Sequence, residues 1–181
     1  LDKEEYPVVK QLSSCTDCEL CVKVCPGVTL DSSAISQQLF GYIPDPADMH
    51  GHFDEAYLSY ACDPAVRQAS SSGGLITALL VSLLERGKID GALVVTSDEQ
   101  TLWKGRPLLA RTREEIIGAT KSKYAISPTN VILAEIRKTP GRYAVVGLPC
   151  QIHGTMKAME LDSRLRERIV PFGGEFRVER N

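Results

Sequence analysis

This sequence has no basic excess, few histidines and no long hydrophobic run, and each shortage closes off a class of function. Its formal net charge of -2 over 181 residues offers no electrostatic footprint for a nucleic acid or an anionic membrane. The longest apolar stretch, residues 75–84, is interrupted by Thr77 and Ser82 and is too short to cross a bilayer, so no transmembrane segment is expected. The opening residues, Leu-Asp-Lys-Glu-Glu-Tyr, are charged and lack the apolar core of a signal peptide, which makes the cytoplasm the expected compartment. The missing initiator Met points to a processed, trimmed or incompletely known start. His50, His52 and His153 show no ligand spacing, and Asp54 with Glu55 form an exposed acidic step, not an acid/base pair. No Ser-His-Asp order, metalloprotease motif, internal repeat or low-complexity segment occurs.

Cysteine is what the chain does have. Four of its six cysteines fall in Cys15-Thr-Asp-Cys18-Glu-Leu-Cys21-Val-Lys-Val-Cys25-Pro26. Without an oxidising compartment, ligation is favoured over disulfides. The run matches the bacterial ferredoxin spacing C-x2-C-x2-C-x3-C-P: thiolates two residues apart wrap one face of a 4Fe-4S cubane, and Pro26 turns the chain away. Zinc modules instead separate two CxxC pairs by a loop. Cys15, Cys18, Cys21 and Cys25 are therefore the expected ligands. In two-cluster ferredoxins the fourth cysteine serves the other cluster, and here no second run exists. Either all four thiolates share one cluster, or Cys25 reaches a second one completed elsewhere. The remaining candidates are Cys62 and Cys150. Cys62, beside Tyr60 and Ala61, reads as a small buried residue. Cys150 follows a strand and opens a helix whose amides favour a thiolate, which suits a cluster ligand or a redox thiol.

The 43% apolar and 24% charged shares are those of a globular protein with one substantial core and a small appended module. Residues 1–40 are read as a ferredoxin-like 4Fe-4S module and 41–66 as a linker; from Asp31 to Asp63 the pattern is weak, punctuated by Gly41, Pro44, Pro46, Gly51 and Pro64, and reads as a linker or irregular connection. Residues 67–181 are read as an α/β domain incomplete at its C-terminus. Within it, helical spacing from Leu75 to a stop at Gly87 is followed by strands over 90–96, 107–110 and 143–147. Thr112 with Glu115 forms a capping box, and further helices are expected over 130–138 and 150–160. That alternation predicts an open, largely parallel or mixed sheet with flanking helices.

The start of the clearest helix carries Ser70, Ser71, Ser72, Gly73 and Gly74. Amides at a helix N-terminus, with glycines permitting close approach, suit a phosphate, although Ser-Gly clusters also serve simply as caps and turns. Lys121, Ser122, Lys123 and Tyr124 add two cations and an aromatic ring, or form an exposed basic loop.

Taken together, Cys15 to Pro26, Arg67 to Gly74, Gly87-Lys-Ile-Asp-Gly-Ala92, Lys121 to Tyr124 and Val146-Gly-Leu-Pro-Cys-Gln-Ile152 resemble, in order, the coenzyme F-420 hydrogenase/dehydrogenase beta-subunit family. The likeness covers roughly residues 12–170. It implies an iron–sulfur flavoprotein in which FAD exchanges hydride with the deazaflavin coenzyme and clusters pass single electrons to partner redox subunits. On that likeness Ser70 to Gly74 and Thr77 would hold FAD phosphates and Lys121 to Tyr124 would line the pocket. Gly147, Pro149 and Gln151 would adjoin the cofactor, and Cys150 would ligate a cluster, giving one or two clusters in all. The family continues into Leu-Phe-Cys-Gly-Gly, where this chain reads Pro171-Phe-Gly-Gly-Glu-Phe176 without a cysteine. The implied function is an oxidoreductase subunit. The alternatives are a non-catalytic ferredoxin-like carrier, or a related flavin enzyme using ferredoxin or a nicotinamide.

Overall fold

The computed structural model describes residues 1, 6–8, 11–48, 50, 51, 53 and 55–170. His52, Asp54 and the 171–176 stretch lie outside these residues. The centre of the fold is β1 (Gly91–Ser97), whose first four residues are buried. It pairs antiparallel with β2 (Gly105–Ala110) and parallel with β3 (Tyr143–Val145), giving the order β2-β1-β3. The sheet is therefore mixed and open. A parallel bridge between Tyr143 and Ile169 extends it beyond β3.

Strand periodicity divides the apolar residues between two layers. Ala92, Val94 and Ala144 face Leu80 and Val81 of α4 (Leu75–Glu85) and Ile116 of α5 (Arg113–Gly118). Leu93, Tyr143 and Val145 face Leu133 and Ile136 of α6 (Leu133–Ile136) and Leu165 of α8 (Ser163–Arg168). Each fully buried Val, Leu or Ile among them contributes roughly 1.5–3 kcal/mol, and the alanines less.

Local chemistry sets the helix ends. The predicted capping box forms: Glu115 N donates to Thr112 Oγ1 at 3.2 Å, and Thr112 N donates to Glu115 Oε2 at 3.2 Å. Asp63 caps α3 (Pro64–Ala69), accepting the Ala65 amide at 2.8 Å. Arg113 then bridges Asp63 and Glu85, both at 2.8 Å, tying α3, α4 and α5 together. Gly87, with φ +61°, ends α4 as expected.

Three expectations are corrected. The helix expected over 130–138 is a 3-10 turn, Thr129–Ile132, running into the single turn of α6. Thr129, Val131 and Ile132 are β-branched and Asn130 favours turns, so the helical pattern breaks there. In the stretch read as irregular, α2 (Ser32–Phe40) forms, because Asp31 accepts the Ala34 amide at 2.9 Å and Gly41 closes the end at φ +79°. Cys62 is exposed, whereas Ala61 beside it is the buried residue, together with Val66 of α3.

The cysteine run comprises a 3-10 turn (Leu12–Ser14), a loop and the single turn α1 (Leu20–Lys23). Among the described residues, none before Ala61 is buried. The run is held against α7 (Pro149–Leu161) through Lys157, which donates to Cys25 O at 3.1 Å, and through Gly154.

Candidate cofactor site

Because β1 and β3 are parallel, Ser97 and Val145 end on the same rim of the sheet. Helix α4 runs into β1 through a short turn, so its N-terminus returns to that rim, and α7 starts there directly after β3. Crevices at the carboxyl ends of parallel strands are where open α/β sheets bind ligands.

Two adjacent hollows lie along this edge. The smaller, about 150 Å³, is lined by Ser70, Ser71, Ser72, Gly74, Thr77 and the start of α4. The larger, about 560 Å³, is lined by Ser97, Leu102, Trp103, Tyr124 and neighbours. Lys121 and Ser122 line both. The junction is direct: Ser122 N donates to Ser71 Oγ at 3.4 Å across 51 residues of sequence.

The serine-glycine turn is built for close approach. Gly74 caps α4 at φ +75°, and no side chain caps the helix, so its first amides are open to the smaller hollow. A Cβ at Gly74 would sit 2.9 Å from Ser70 Oγ and 3.2 Å from Val66 O. This glycine is thus required by the backbone itself, whatever binds beside it. Ser70 is turned back into α3, donating to Val66 O at 2.8 Å, which leaves Ser71 and Ser72 exposed at the opening.

The two lysines of Lys121-Ser-Lys-Tyr124 have different roles. Lys123 donates to Ala119 O and Lys121 O, both at 3.0 Å, and to Thr120 O, closing the end of α5. Burial, and then the nearby Lys121 charge, hold the Lys123 amine below its ordinary range. Lys121 is exposed at φ +70° and has no carboxylate partner among the described residues. Tyr124 (96% exposed) and Trp103 (69% exposed) offer unburied aromatic faces in the larger hollow.

At the start of α7, Gly147, Pro149 and Cys150 are exposed on the same rim. Gln151 is engaged internally: its Oε1 accepts the Leu148 amide at 2.8 Å, and its Nε2 donates to Thr129 Oγ1 at 2.9 Å and Ser127 O at 3.1 Å. It fixes the strand-to-helix turn and presents no free amide to the hollow.

The donor chemistry of the cysteine run fits an iron–sulfur centre. All six cysteines are free thiols, and Cys15, Cys18 and Cys21 are exposed. Cys18 is held below the ordinary thiol range by the Leu20 amide first and the Thr16 hydroxyl second. Asp17 (φ +50°) and Glu19 (φ +57°) take left-handed conformations on either side of it, turning the loop around its thiol. Among the described residues, no three His, Cys, Asp or Glu side chains are gathered as a metal-ligand set. The fit therefore lies in the thiols and their spacing.

Residues 56–134 match the family described as coenzyme F420 hydrogenase/dehydrogenase, beta subunit, N-terminal. Over those residues the chain is similar to that family. Relatives extend the match. The coenzyme F420-dependent sulfite reductase of Methanocaldococcus jannaschii is 47% identical over 85 residues, 47% of this chain and 13% of that protein. The coenzyme F420 hydrogenase subunit beta of Methanothermobacter thermautotrophicus is 30% identical over 128 residues, 70% of this chain and 42% of that one. Among solved structures, a chain of the F420-reducing NiFe hydrogenase complex of Methanosarcina barkeri superimposes with a TM-score of 0.53 at 34% identity. That superposition covers 56% of this chain and 35% of the other. The chain spans less than half the length of each of these relatives.

The beta-subunit N-terminal segment includes the serine-glycine turn and Lys121 to Tyr124, whereas the cysteine run and Cys150 lie outside it. Two lining residues, Leu102 and Trp103, were not legible in the sequence. They sit in the turn between β1 and β2, where an aromatic residue without periodic neighbours gives no pattern to read.

Proposed function

We propose that this chain is a flavin-binding electron-transfer part of a redox complex, an oxidoreductase subunit linked to the deazaflavin coenzyme F420. The observation that carries the reading is the junction at Lys121 and Ser122. Lys121, without a carboxylate partner among the described residues, and the open amides of α4 meet in a small hollow that shares Lys121 and Ser122 with a larger, aromatic-lined one. A dinucleotide has this polarity: charged at its pyrophosphate, flat and apolar at its ring.

In this reading Ser71, Ser72, Gly73, Gly74 and Thr77 receive the FAD phosphates with Lys121, and Trp103 and Tyr124 flank a ring. Lys123 and Gln151 hold the surrounding backbone. Gly147 and Pro149 shape the neighbouring edge. When bound, FAD supplies the exchange between a two-electron hydride carrier and single electrons. Cys15, Cys18, Cys21 and Cys25 hold a 4Fe-4S cluster that supplies one-electron transfer. Cys150, on the same rim as the flavin hollow, ligates a second cluster or stands as a redox thiol beside the first. Domain boundaries follow as a ferredoxin-like module over 1–40, a connection over 41–66 and a flavin domain from 67 onward. Partners are other redox subunits of hydrogenase, dehydrogenase or reductase type, and the setting is the cytoplasm.

The test is the visible spectrum of the full chain purified without oxygen, followed by addition of the reduced deazaflavin coenzyme. Flavin bands above the broad cluster absorption, bleached by the coenzyme, are expected. Cluster absorption with no flavin after incubation with FAD would instead make this a ferredoxin-like carrier. Flavin that is reduced by ferredoxin or a nicotinamide but not by the deazaflavin would keep the enzyme and change its donor.

A further inference from the structure

Helix α7 carries Cys150, Gly154 and Lys157 at positions i, i+4 and i+7, so the three lie on one stripe. Two of them touch the cysteine run. Gly154 is buried; a Cβ there would press on Asn130 Nδ2 at 3.2 Å and would stand in ordinary contact with the run, 3.6 Å from Pro26 Cδ and 3.7 Å from Val24 O. The run thus lies against the helix at this position. One turn further, the Lys157 ammonium donates to Cys25 O at 3.1 Å, to Thr29 Oγ1 at 3.0 Å and to Thr29 O. All its contacts are oxygens of the run's C-terminal arm, 128 to 132 residues away in sequence. Lys157 has no carboxylate partner among the described residues, so its charge is directed wholly at that arm.

Cys25 stands apart from the other three thiols. It is partly buried where they are exposed. Its carbonyl accepts the Val28 amide at 3.3 Å as well as the lysine, which fixes the turn that follows Pro26.

We propose that Lys157 is a positioning residue for the iron–sulfur centre. It clamps the arm carrying the fourth ligand onto α7 and sets a positive charge beside that ligand. This rests on the reading of the cysteine run as a cluster site. A cation close to a cluster stabilises the reduced form, which carries one more negative charge, and so raises the reduction potential. A clamp also slows the escape of the thiolate it restrains, as outer contacts do at other metal centres. A lysine that merely attaches two parts of a surface would do neither.

The test uses the full chain, reconstituted anaerobically with iron and sulfide, as wild type, Lys157→Met, Lys157→Arg and Thr29→Val. The readouts are iron and sulfide per chain, the midpoint potential followed by the reduced-state paramagnetic signal, and the rate of iron loss to a chelator. Lys157→Met is expected to shift the midpoint to more negative potential and to lose iron several-fold faster, or to lose the cluster with its circular dichroism intact. Lys157→Arg should restore the midpoint. Thr29→Val, which keeps the charge, should speed iron loss without moving the midpoint, and it reads the clamp even where Lys157→Met fails to fold. A Lys157→Met protein with wild-type midpoint and wild-type iron loss would overturn the proposal while leaving the cluster reading intact. A wild-type chain that takes up no iron and sulfide would overturn both.

Discussion

Residues 61–170 and residues 11–60 are held together by different means. The later stretch contains every buried apolar side chain among the described residues, from Ala61 to Ile169, and all of them but Ala61 and Val66 gather in two clusters on the faces of one sheet. The earlier stretch has none, and leaves Leu12, Tyr57 and Leu58 at 78%, 72% and 102% exposure. A sheet with two apolar layers orders itself by burial. A cysteine loop without a core is left to anchors such as Lys157 and Gly154, and to any metal centre its thiols would hold. Function divides along the same line: the rim hollow stands on a packed scaffold, and the thiols stand on a segment that ligation would complete.

The contrast can be broken most forcefully by truncation. Leu93, fully buried under α6, should cost about 2–5 kcal/mol when replaced by Ala. Leu12→Ala, at an exposed position of the run, should stay within about 0.5 kcal/mol in cluster-free protein. Urea unfolding of both variants checks this. A comparable loss at Leu12 would mean that the first sixty residues have a core of their own.

A finer comparison lies within the basic loop. Lys121→Ala should weaken flavin binding roughly ten-fold, since a charge-assisted bond is worth about 1.5 kcal/mol, and leave stability unchanged. Lys123→Ala should instead lower stability by about 1 kcal/mol through the carbonyls of residues 119–121 freed just past α5, with a smaller effect on flavin. Flavin titration and urea unfolding, run on both variants, separate the two roles. Equal loss of affinity with no loss of stability would contradict the assignment.

Much of the packed half was legible because its signals are local. The Thr112–Glu115 box, the Gly87 stop and the apolar strands at 91–97 and 143–145 each follow from neighbouring residues. Pairing was not legible: β2 is antiparallel and β3 parallel to β1, and nothing within either strand encodes that difference. The serine-glycine turn and the basic loop were recognised as separate segments, yet their meeting through Ser71 and Ser122 is a tertiary fact. The same holds for Lys123 and Gln151, whose polar heads look available in sequence and are engaged by backbone in the fold. Cys62 was misplaced because burial alternates residue by residue where the chain enters α3, and Ala61 took the inward position. Helix α2 was missed because its capping signals, Asp31 and Gly41, flank a segment without a strong apolar stripe.

The most direct test of the two-part account is the iron, acid-labile sulfide and flavin content of one anaerobic preparation, wild type beside Cys18→Ser. The account predicts about four irons and four sulfides per wild-type chain if one 4Fe-4S cluster is bound. It also predicts one flavin. The Cys18→Ser chain should lose most of its iron and sulfide while keeping its flavin, because the rim hollow is built on the packed half alone. Stoichiometric zinc without sulfide in the wild type, or flavin lost together with iron in the variant, would contradict it.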